Sequence, residues 1–271
     1  MTILGKIIAH KKEEVANRKK LYPINLLEQS TYFETPVVSM KKYLLREDKS
    51  GIIAEFKRRS PSKGDINPYA TVESVSIGYM QAGASGLSIL TDEKFFGGKS
   101  EDLTIARKYN FCPILRKDFV IDEYQLIEAR SIGADTVLLI AECLEKEQLK
   151  QLANTARSLG LEVLMEVHSI GQLSKLCEEV TIVGVNNRNL ETFEVSIQTS
   201  LELAEAIPSG FTKISESGIS DPKTIIKLQE AGYDGFLIGE AFMKTADPAR
   251  ACLNFIQELE VLKAKLQKIN S

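Results

Sequence analysis

Short apolar runs recur along this chain, and several end in a charged or amide residue that keeps step with the run. Ile53, Glu55 and Lys57 share one parity, as do Pro113, Leu115 and Lys117. Leu164 and Glu166 repeat the pattern, followed by Ile182, Gly184 and Asn186, and by Ile214 and Glu216. In a β-strand every second side chain points to the same side. Each run therefore begins in an apolar layer and finishes with a polar group on the same face. The pattern predicts strands over 52–57, 86–90, 113–116, 136–140, 162–167, 181–185, 212–215 and 235–238. Amphipathic spacing between them predicts helices over 72–80, 123–132, 146–159, 170–177, 197–206 and 223–231. Glycines at 83, 133, 160 and 232 stand where helices should stop before the next strand.

The first fifty residues lack this alternation. Leu4, Ile7, Ile8 and Val15 fall near helical spacing among Lys, Glu and Arg, and Pro23 and Pro36 punctuate the stretch beyond them. An N-terminal helix, a looser connection and a second helix near 38–45 are expected. Eight strands in strict alternation with helices suit either a closed barrel or an open doubly wound sheet. An open dinucleotide fold should carry G-x-G-x-x-G after its first strand, but here that strand runs into Lys57-Arg58-Arg59-Ser60-Pro61-Ser62-Lys63-Gly64. The expected fold is α/β, a single (β/α)₈ TIM barrel with an N-terminal helical extension. Residues 1–50 would form the extension and 51–271 the barrel, in one structural domain. A last helix over 248–269 would close the structure and leave no residues for a second domain. In such a barrel the polar strand ends meet at the carboxyl-end mouth, where catalytic groups of this fold sit.

The bulk properties narrow the partners. The formal net charge of −3 supplies no basic field for nucleic acid, so an anion must be held by a local site. Cys112, Cys143, Cys177 and Cys252 form no CxxC pair and no zinc spacing, as expected of reduced thiols in a cytoplasmic protein. His10 and His168 are the only histidines, which argues against a histidine-rich metal site. Lys6, Lys11 and Lys12 interrupt the apolar start, so no signal-peptide core is expected there, and no run reaches transmembrane length. The expected partner is a phosphorylated small molecule, with no nucleic acid and no membrane, and the chain is expected to act as a monomer or weak dimer.

Lys117, in step with Leu115, would project over the barrel axis. Near other cations or partly desolvated, its pKa should fall toward a useful range, making it a general acid or a Schiff-base nucleophile. Alternatively it is a surface lysine just past its strand, paired with Asp118. Glu166 is a candidate general base or a structural partner for a mouth lysine. His168 has the same parity and is the rival base, expected past the strand at a helix N-terminus. Glu55 and Lys57 offer a second acid–base pair, or neutralise each other. Asn186 and Arg188 are donors suited to hydroxyls or carboxylates. Gly218 follows Glu216-Ser217 and Gly239 precedes Glu240. Backbone N–H groups there, with the helix N-termini beyond, suit a phosphate that Lys57 and Ser60 could also reach, or the glycines merely serve tight turns. Phe96, Phe119, Leu138 and Leu190 lie near strand ends and could wall a pocket or pack locally.

These motifs together resemble indole-3-glycerol phosphate synthases. The resemblance rests on Ile53-Ala54-Glu55-Phe56-Lys57-Arg58-Arg59-Ser60-Pro61-Ser62, Leu115-Arg116-Lys117-Asp118-Phe119 and Met165-Glu166-Val167-His168. It extends to Asn186-Asn187-Arg188-Asn189-Leu190, Glu216-Ser217-Gly218-Ile219 and Ile238-Gly239-Glu240, and to a start, Ile3-Leu4-Gly5-Lys6-Ile7-Ile8-Ala9, like the family's first helix. The likeness covers nearly the whole chain and departs nowhere at a position the family uses for chemistry. It implies a carboxy-lyase of tryptophan biosynthesis that needs no cofactor or metal. Lys117 would be the general acid and Glu166 the general base, with Lys57 and Glu55 assisting binding and dehydration. Asn186 and Glu216, within the catalytic group, would orient the substrate with Arg188 and Ser217. Lys57, Ser60, Gly218, Gly239 and Glu240 would surround the phosphate, Glu240 by its backbone N–H with its side chain turned away. Phe96, Phe119, Leu138 and Leu190 would form the aromatic pocket. A class I aldolase using Lys117 as Schiff base, or a non-catalytic phosphate-binding barrel, are the rival readings.

Overall fold

The computed structural model of the chain describes residues 2–270. Met1 and Ser271, the outer ends of the two expected segments, lie outside the described residues. Eight strands form a closed, all-parallel barrel: β1 (Ile52–Phe56), β2 (Gly86–Leu90), β3 (Ile114–Lys117), β4 (Thr136–Ile140), β5 (Glu162–Val167), β6 (Ile182–Asn186), β7 (Thr212–Glu216) and β8 (Gly235–Ile238). Closure is made by β1, which pairs with β2 on one side and β8 on the other. The expected TIM barrel is thus present, with a helix ahead of its first strand.

The period-two pattern sorts the strand residues into two apolar layers. Ile53, Leu115, Leu138, Ile140, Leu164, Ile182, Ile214 and Leu237 pack together inside the barrel. Ile52, Ala54, Phe56, Leu87, Ile89, Val137, Leu139, Val163, Met165, Val183 and Val185 face the surrounding helices. Both strand faces are buried, which is why these runs are so continuously apolar. A short helix, Met40–Leu44, joins the inner layer through Met40 and Leu44. Met40 lies where a Cβ on Gly86 would be, and Leu44 crowds Gly235 in the same way, so this helix plugs the amino end of the barrel.

The outer helices match the expected segments, with instructive departures. Gly83, Gly133, Gly160 and Gly232 all have positive φ, between +77° and +97°, as a glycine helix stop requires. A helix over Ser100–Tyr109, between β2 and β3, is absent from the sequence pattern because its buried stripe is only Asp102, Leu103 and Ala106. The segment expected as a helix over 170–177 is instead a 3₁₀ turn, Ile170–Lys175, that buries none of its residues. Within it only Leu173 packs on the core, and only partly buried, too little apolar contact to sustain a longer helix. β3, β6 and β7 each run further than expected, so Lys117, Asn186 and Glu216 lie within strands.

The N-terminal helix α1 (Ile3–Leu21) starts on Thr2, whose hydroxyl accepts the Gly5 N–H at 3.1 Å. Its buried stripe is Ile7, Lys11 and Val15, a spacing of four that places a lysine where an apolar residue is usual.

Gly98 holds the loop after β2 against the strand end, since a Cβ there would come 2.1 Å from the Leu90 carbonyl oxygen and 2.9 Å from the Thr91 nitrogen. Backbone on backbone leaves nothing flexible to yield. Gly98→Ala should destabilise the protein by about 1–3 kcal/mol. The expected readout is a lower urea midpoint with unchanged slope; an unchanged midpoint would mean that the loop relaxes freely.

Candidate active site

The polar strand ends converge on one cavity at the carboxyl-end mouth. Its lining takes Glu55 and Lys57 from the end of β1, Lys117 from β3, Glu166 from β5, Asn186 from β6 and Glu216 from β7. Ser60, Phe96, Phe119, Leu138, Arg188, Leu190, Ser217 and Glu240 also line it. Of the residues assigned to catalysis, substrate or phosphate, Gly218 and Gly239 stand behind the wall. A Cβ on Gly239 would lie 2.6 Å from Glu55 Oε1, and one on Gly218 would lie 2.4 Å from Val195. Gly239 therefore makes room for a mouth carboxylate. The turn before Gly218 is tight, with Ser217 itself at φ +69°. The helix after β7 begins only at Pro222 and is capped by Asp221, so its N-terminus is already occupied. The one-turn helix Glu240–Met243 after β8 has no side-chain cap.

Lys117 sits at the centre. Its ammonium donates to Glu166 Oε2 at 2.9 Å and to Glu216 Oε2 at 2.5 Å. It is not a surface lysine, and Asp118 faces Lys11 and Arg116 instead. The expected fall in its pKa is also overturned. Burial does act to lower it, but Glu166, Glu216 and Glu55 outweigh burial and hold the ammonium well above its ordinary value. An amine held in its charged form between carboxylates suits proton donation better than Schiff-base attack, which counts against the aldolase reading.

The two carboxylates beside Lys117 are unequal. Burial raises both, yet Glu166 is drawn down to about 2, because Lys117, His168 and the Asn186 amide favour its charge. Asn186 Nδ2 donates to Glu166 Oε1 at 3.1 Å, and His168 Nε2 lies 3.5 Å from the same oxygen. Glu216 has no such second set, for its Oε1 is buried without a partner. Burial, reinforced by the charges of Glu166 and Glu55, raises it to about 7 despite Lys117. Gly184, paired with Glu166 in the register, is what admits this carboxylate; a Cβ there would fall 2.2 Å from Glu216 Oε1.

The remaining polar groups form a rim. Lys57 Nζ donates to Glu55 Oε1 at 2.6 Å, and Ser88 Oγ to Glu55 Oε2 at 3.4 Å. Arg188 reaches Glu240 Oε2 at 3.4 Å, and Lys63 lies 3.7 Å from Glu240 Oε1. The Glu240 side chain therefore lines the mouth and does not turn away from it. His168 lies past β5 as expected, but it borders a neighbouring groove with Glu142 and Asn187 and not this cavity. The Phe96 and Phe119 rings stand 6.0 Å apart, centroid to centroid, on the apolar side.

The family resemblance leaves the N-terminal segment either shaping the mouth or merely capping the barrel, and its first helix reaches the mouth. Ile3, Leu4 and Ile7 of α1 complete the cavity wall. Helical spacing marks this stretch as apolar but does not say what it faces. Asn187 carries no signal of its own beyond the motif that contains it. Its amide donates to Ser215 Oγ and the Ser217 carbonyl at 2.9 and 3.1 Å, fixing the turn that carries Ser217.

The raised Glu216 gives a stability test. The native state keeps a proton on Glu216 up to about 7, whereas an ordinary glutamate releases it near 4.5. The native state then binds more protons across that window, so stability contributed by this group is present below it and lost as pH rises through it. Glu216→Gln cannot titrate. Its stability relative to the parent should therefore be more favourable at pH 8 than at pH 4, measured by urea unfolding. Equal differences at both pH values would show that Glu216 ionises as an ordinary carboxylate.

Comparison with known proteins agrees with this geometry. Residues 4–255 match the family model described as "Indole-3-glycerol phosphate synthase". A protein of that name from Bacteroides thetaiotaomicron is 49% identical over 258 residues, covering 95% of this chain and 99% of its own. Another from Acinetobacter baylyi is 43% identical, covering 92% of this chain and 94% of its own. Among solved structures, a thiamine phosphate pyrophosphorylase from Pyrococcus furiosus aligns with a TM-score of 0.58 over 82% of this chain and 99% of that one. A chain from the tryptophan synthase complex of the same organism aligns with a TM-score of 0.57 over 78% of this chain and 98% of its own. Both are 14% identical to this chain and speak for the fold alone. On the match along almost its full length, this chain belongs to the indole-3-glycerol phosphate synthase family.

Proposed function

We propose that Lys117 and Glu166 are the acid and base with which this barrel closes an indole ring. The enzyme is an indole-3-glycerol phosphate synthase, a decarboxylating lyase of tryptophan biosynthesis acting on a phosphorylated small molecule. Its substrate in this reading is 1-(2-carboxyphenylamino)-1-deoxyribulose 5-phosphate. The observation that carries the assignment is the Lys117 ammonium held between Glu166 and Glu216 beside a wall of Phe96, Phe119, Leu138 and Leu190.

The ring carbon bearing the carboxylate attacks the ketone carbon, and the ketone oxygen gains charge. Lys117 donates its proton there, since a developing alkoxide is a stronger base than an amine. General acid–base assistance of this kind contributes about 10²–10⁴-fold. Carbon dioxide then leaves, and the electrons of the broken bond restore the aromatic ring. The apolar wall favours that loss of a carboxylate charge. Dehydration is the last stage: the Lys57 ammonium protonates the hydroxyl formed from the ketone oxygen, which departs as water, and a carbon-bound proton is removed. Glu166 takes that proton. While Lys117 is charged, Glu166 is too weak a base; once Lys117 has given up its proton, the cation that depresses Glu166 is gone. The acid step thus prepares the base. Glu55 and Lys57 assist binding and dehydration, and Asn186, Arg188, Glu216 and Ser217 orient the substrate.

The phosphate is placed beside Lys57 and Ser60, near the uncapped turn at Gly239 and Glu240 and the tight turn at Gly218. Loss of carbon dioxide and water balances the whole conversion without an electron acceptor, so the reading includes no cofactor or metal. It treats residues 1–50 and 51–271 as one unit, supported by the ion pairs of Lys11 and Arg18 to the barrel. A monomer or weak dimer suffices, because every assigned group comes from one chain. No helix among the described residues is long and apolar enough to cross a membrane. The net charge of −3 suits a protein that does not hold nucleic acid, and four free cysteines suit a cytoplasmic setting.

Lys117→Ala and Glu166→Gln should each lower turnover by about 10²–10⁴-fold, monitored by indole fluorescence on mixing with the aminodeoxyribulose phosphate. Far-UV circular dichroism should stay unchanged. Full turnover by folded Lys117→Ala would overturn the assignment.

A further inference from the structure

The ammonium of Lys11 is fully buried, although it belongs to a helix outside the barrel. It lies 2.9 Å from Asp118 Oδ1, 3.0 Å from Asp92 Oδ2 and 3.0 Å from Glu14 Oε1. Asp92 and Asp118 are themselves buried. Removing such charges from water costs several kcal/mol per ion, and a methionine or leucine would fill the stripe of α1 without that cost. Packing alone does not account for a lysine here.

What the two aspartates hold accounts for it. Asp92 Oδ1 accepts the backbone N–H groups of Phe95 and Phe96 at 2.8 and 3.2 Å, while its other oxygen faces Lys11. Asp118 Oδ1 faces both Lys11 and the N–H of Phe119, at 2.9 and 2.8 Å. Its Oδ2 accepts from Thr91 at 2.7 Å and from Arg116 at 3.1 Å. Each aspartate thus joins Lys11 to the backbone of one cavity phenylalanine. A second tie lies two turns along α1, where Arg18 meets Glu128 at 2.5 Å and Glu128 meets Arg116 at 2.5 Å. The same helix contributes Ile3, Leu4 and Ile7 to the cavity wall.

We propose that Lys11 is a positioning residue for ring closure: through Asp92 and Asp118 it sets the placement of Phe96 and Phe119 against the aromatic ring of the substrate. The inference rests on the reading of that cavity as the aryl pocket. Lys11 touches no reacting atom. It fixes two loops, after β2 and after β3, to one point on α1, so the aromatic slot is held before substrate arrives.

The test is a double-mutant cycle in the full-length protein. Lys11→Met keeps the stem and removes the charge. Displaced walls should lower kcat/KM about ten- to a hundredfold, with the affinity for inorganic phosphate as competitive inhibitor unchanged. In the Phe96→Ala, Phe119→Ala background, Lys11→Met should have little further effect, because nothing remains for it to place. Asp92→Asn is the companion variant, should Lys11→Met fold poorly. Asparagine still caps the Phe95–Phe96 turn but drops the charge that faces Lys11, and it should show the same coupling to Phe96. Effects that add fully in both cycles, or phosphate affinity that falls in step with kcat/KM, would reduce Lys11 to a stability role and overturn the proposal. That outcome leaves the assignment of Lys117 intact, because Lys117→Ala tests it separately.

Discussion

A buried ammonium must be surrounded by charge of the opposite sign, and this protein is arranged around two of them. Lys117 gathers Glu166 and Glu216 from strands far apart in sequence, with Glu55 close enough to add its charge. Lys11 gathers Asp92 and Asp118, and with them the loops that bear Phe96 and Phe119. Desolvation makes either cation costly alone. Three of the four carboxylates that offset that cost also fix geometry through a second partner: Asn186 on Glu166, the Phe95 and Phe96 amides on Asp92, Arg116 on Asp118.

The barrel supplies the frame that makes this possible. Parallel register places Glu166 opposite Gly184 and Asn186 opposite Glu216, so neighbours across the ladder differ in size as well as charge. Gly184 yields its side-chain space to Glu216, and Gly239 yields its own to Glu55. A charged cluster is therefore packed into the mouth by leaving out side chains beside it. The amino end is sealed by Met40 and Leu44, which keeps the inner layer apolar up to the level of the carboxylates.

Much of this is legible in the chain because strand parity is strict. Ile53, Leu115, Leu164, Ile182 and Ile214 lie in the inner layer, and the polar residues in step with them reach the mouth. A period of two survives errors of a residue at strand ends, which is why parity places Lys117 correctly although the expected strand stops one residue short of it. Helical spacing carries less. It marks Ile7 and Val15 but gives no reason to bury Lys11 between them, since the partners come from loops with no periodic signal. The direction of the Lys117 pKa is hidden for the same reason. Linear sequence sets Lys117 between Arg116 and Asp118 and offers Glu166 as a partner for a mouth lysine, while the closed register shows two carboxylates in contact with its ammonium.

Those neighbours also set the proton inventory of the mouth. Lys117, His168 and Asn186 favour the charged form of Glu166, while burial and the neighbouring carboxylates disfavour that of Glu216. Two carboxylates sharing one cation cannot both ionise freely. In the proposed reaction Lys117 donates to the ketone oxygen, and the loss of its charge raises the basicity of both partners. Glu216 then keeps its proton more tightly, while Glu166, already unprotonated, becomes able to accept one. The inequality between the two glutamates suits the proposed division between a base and a substrate-orienting group, and it arises from one contrast: Asn186 and His168 flank Glu166, whereas the free oxygen of Glu216 faces the bare backbone of Gly184.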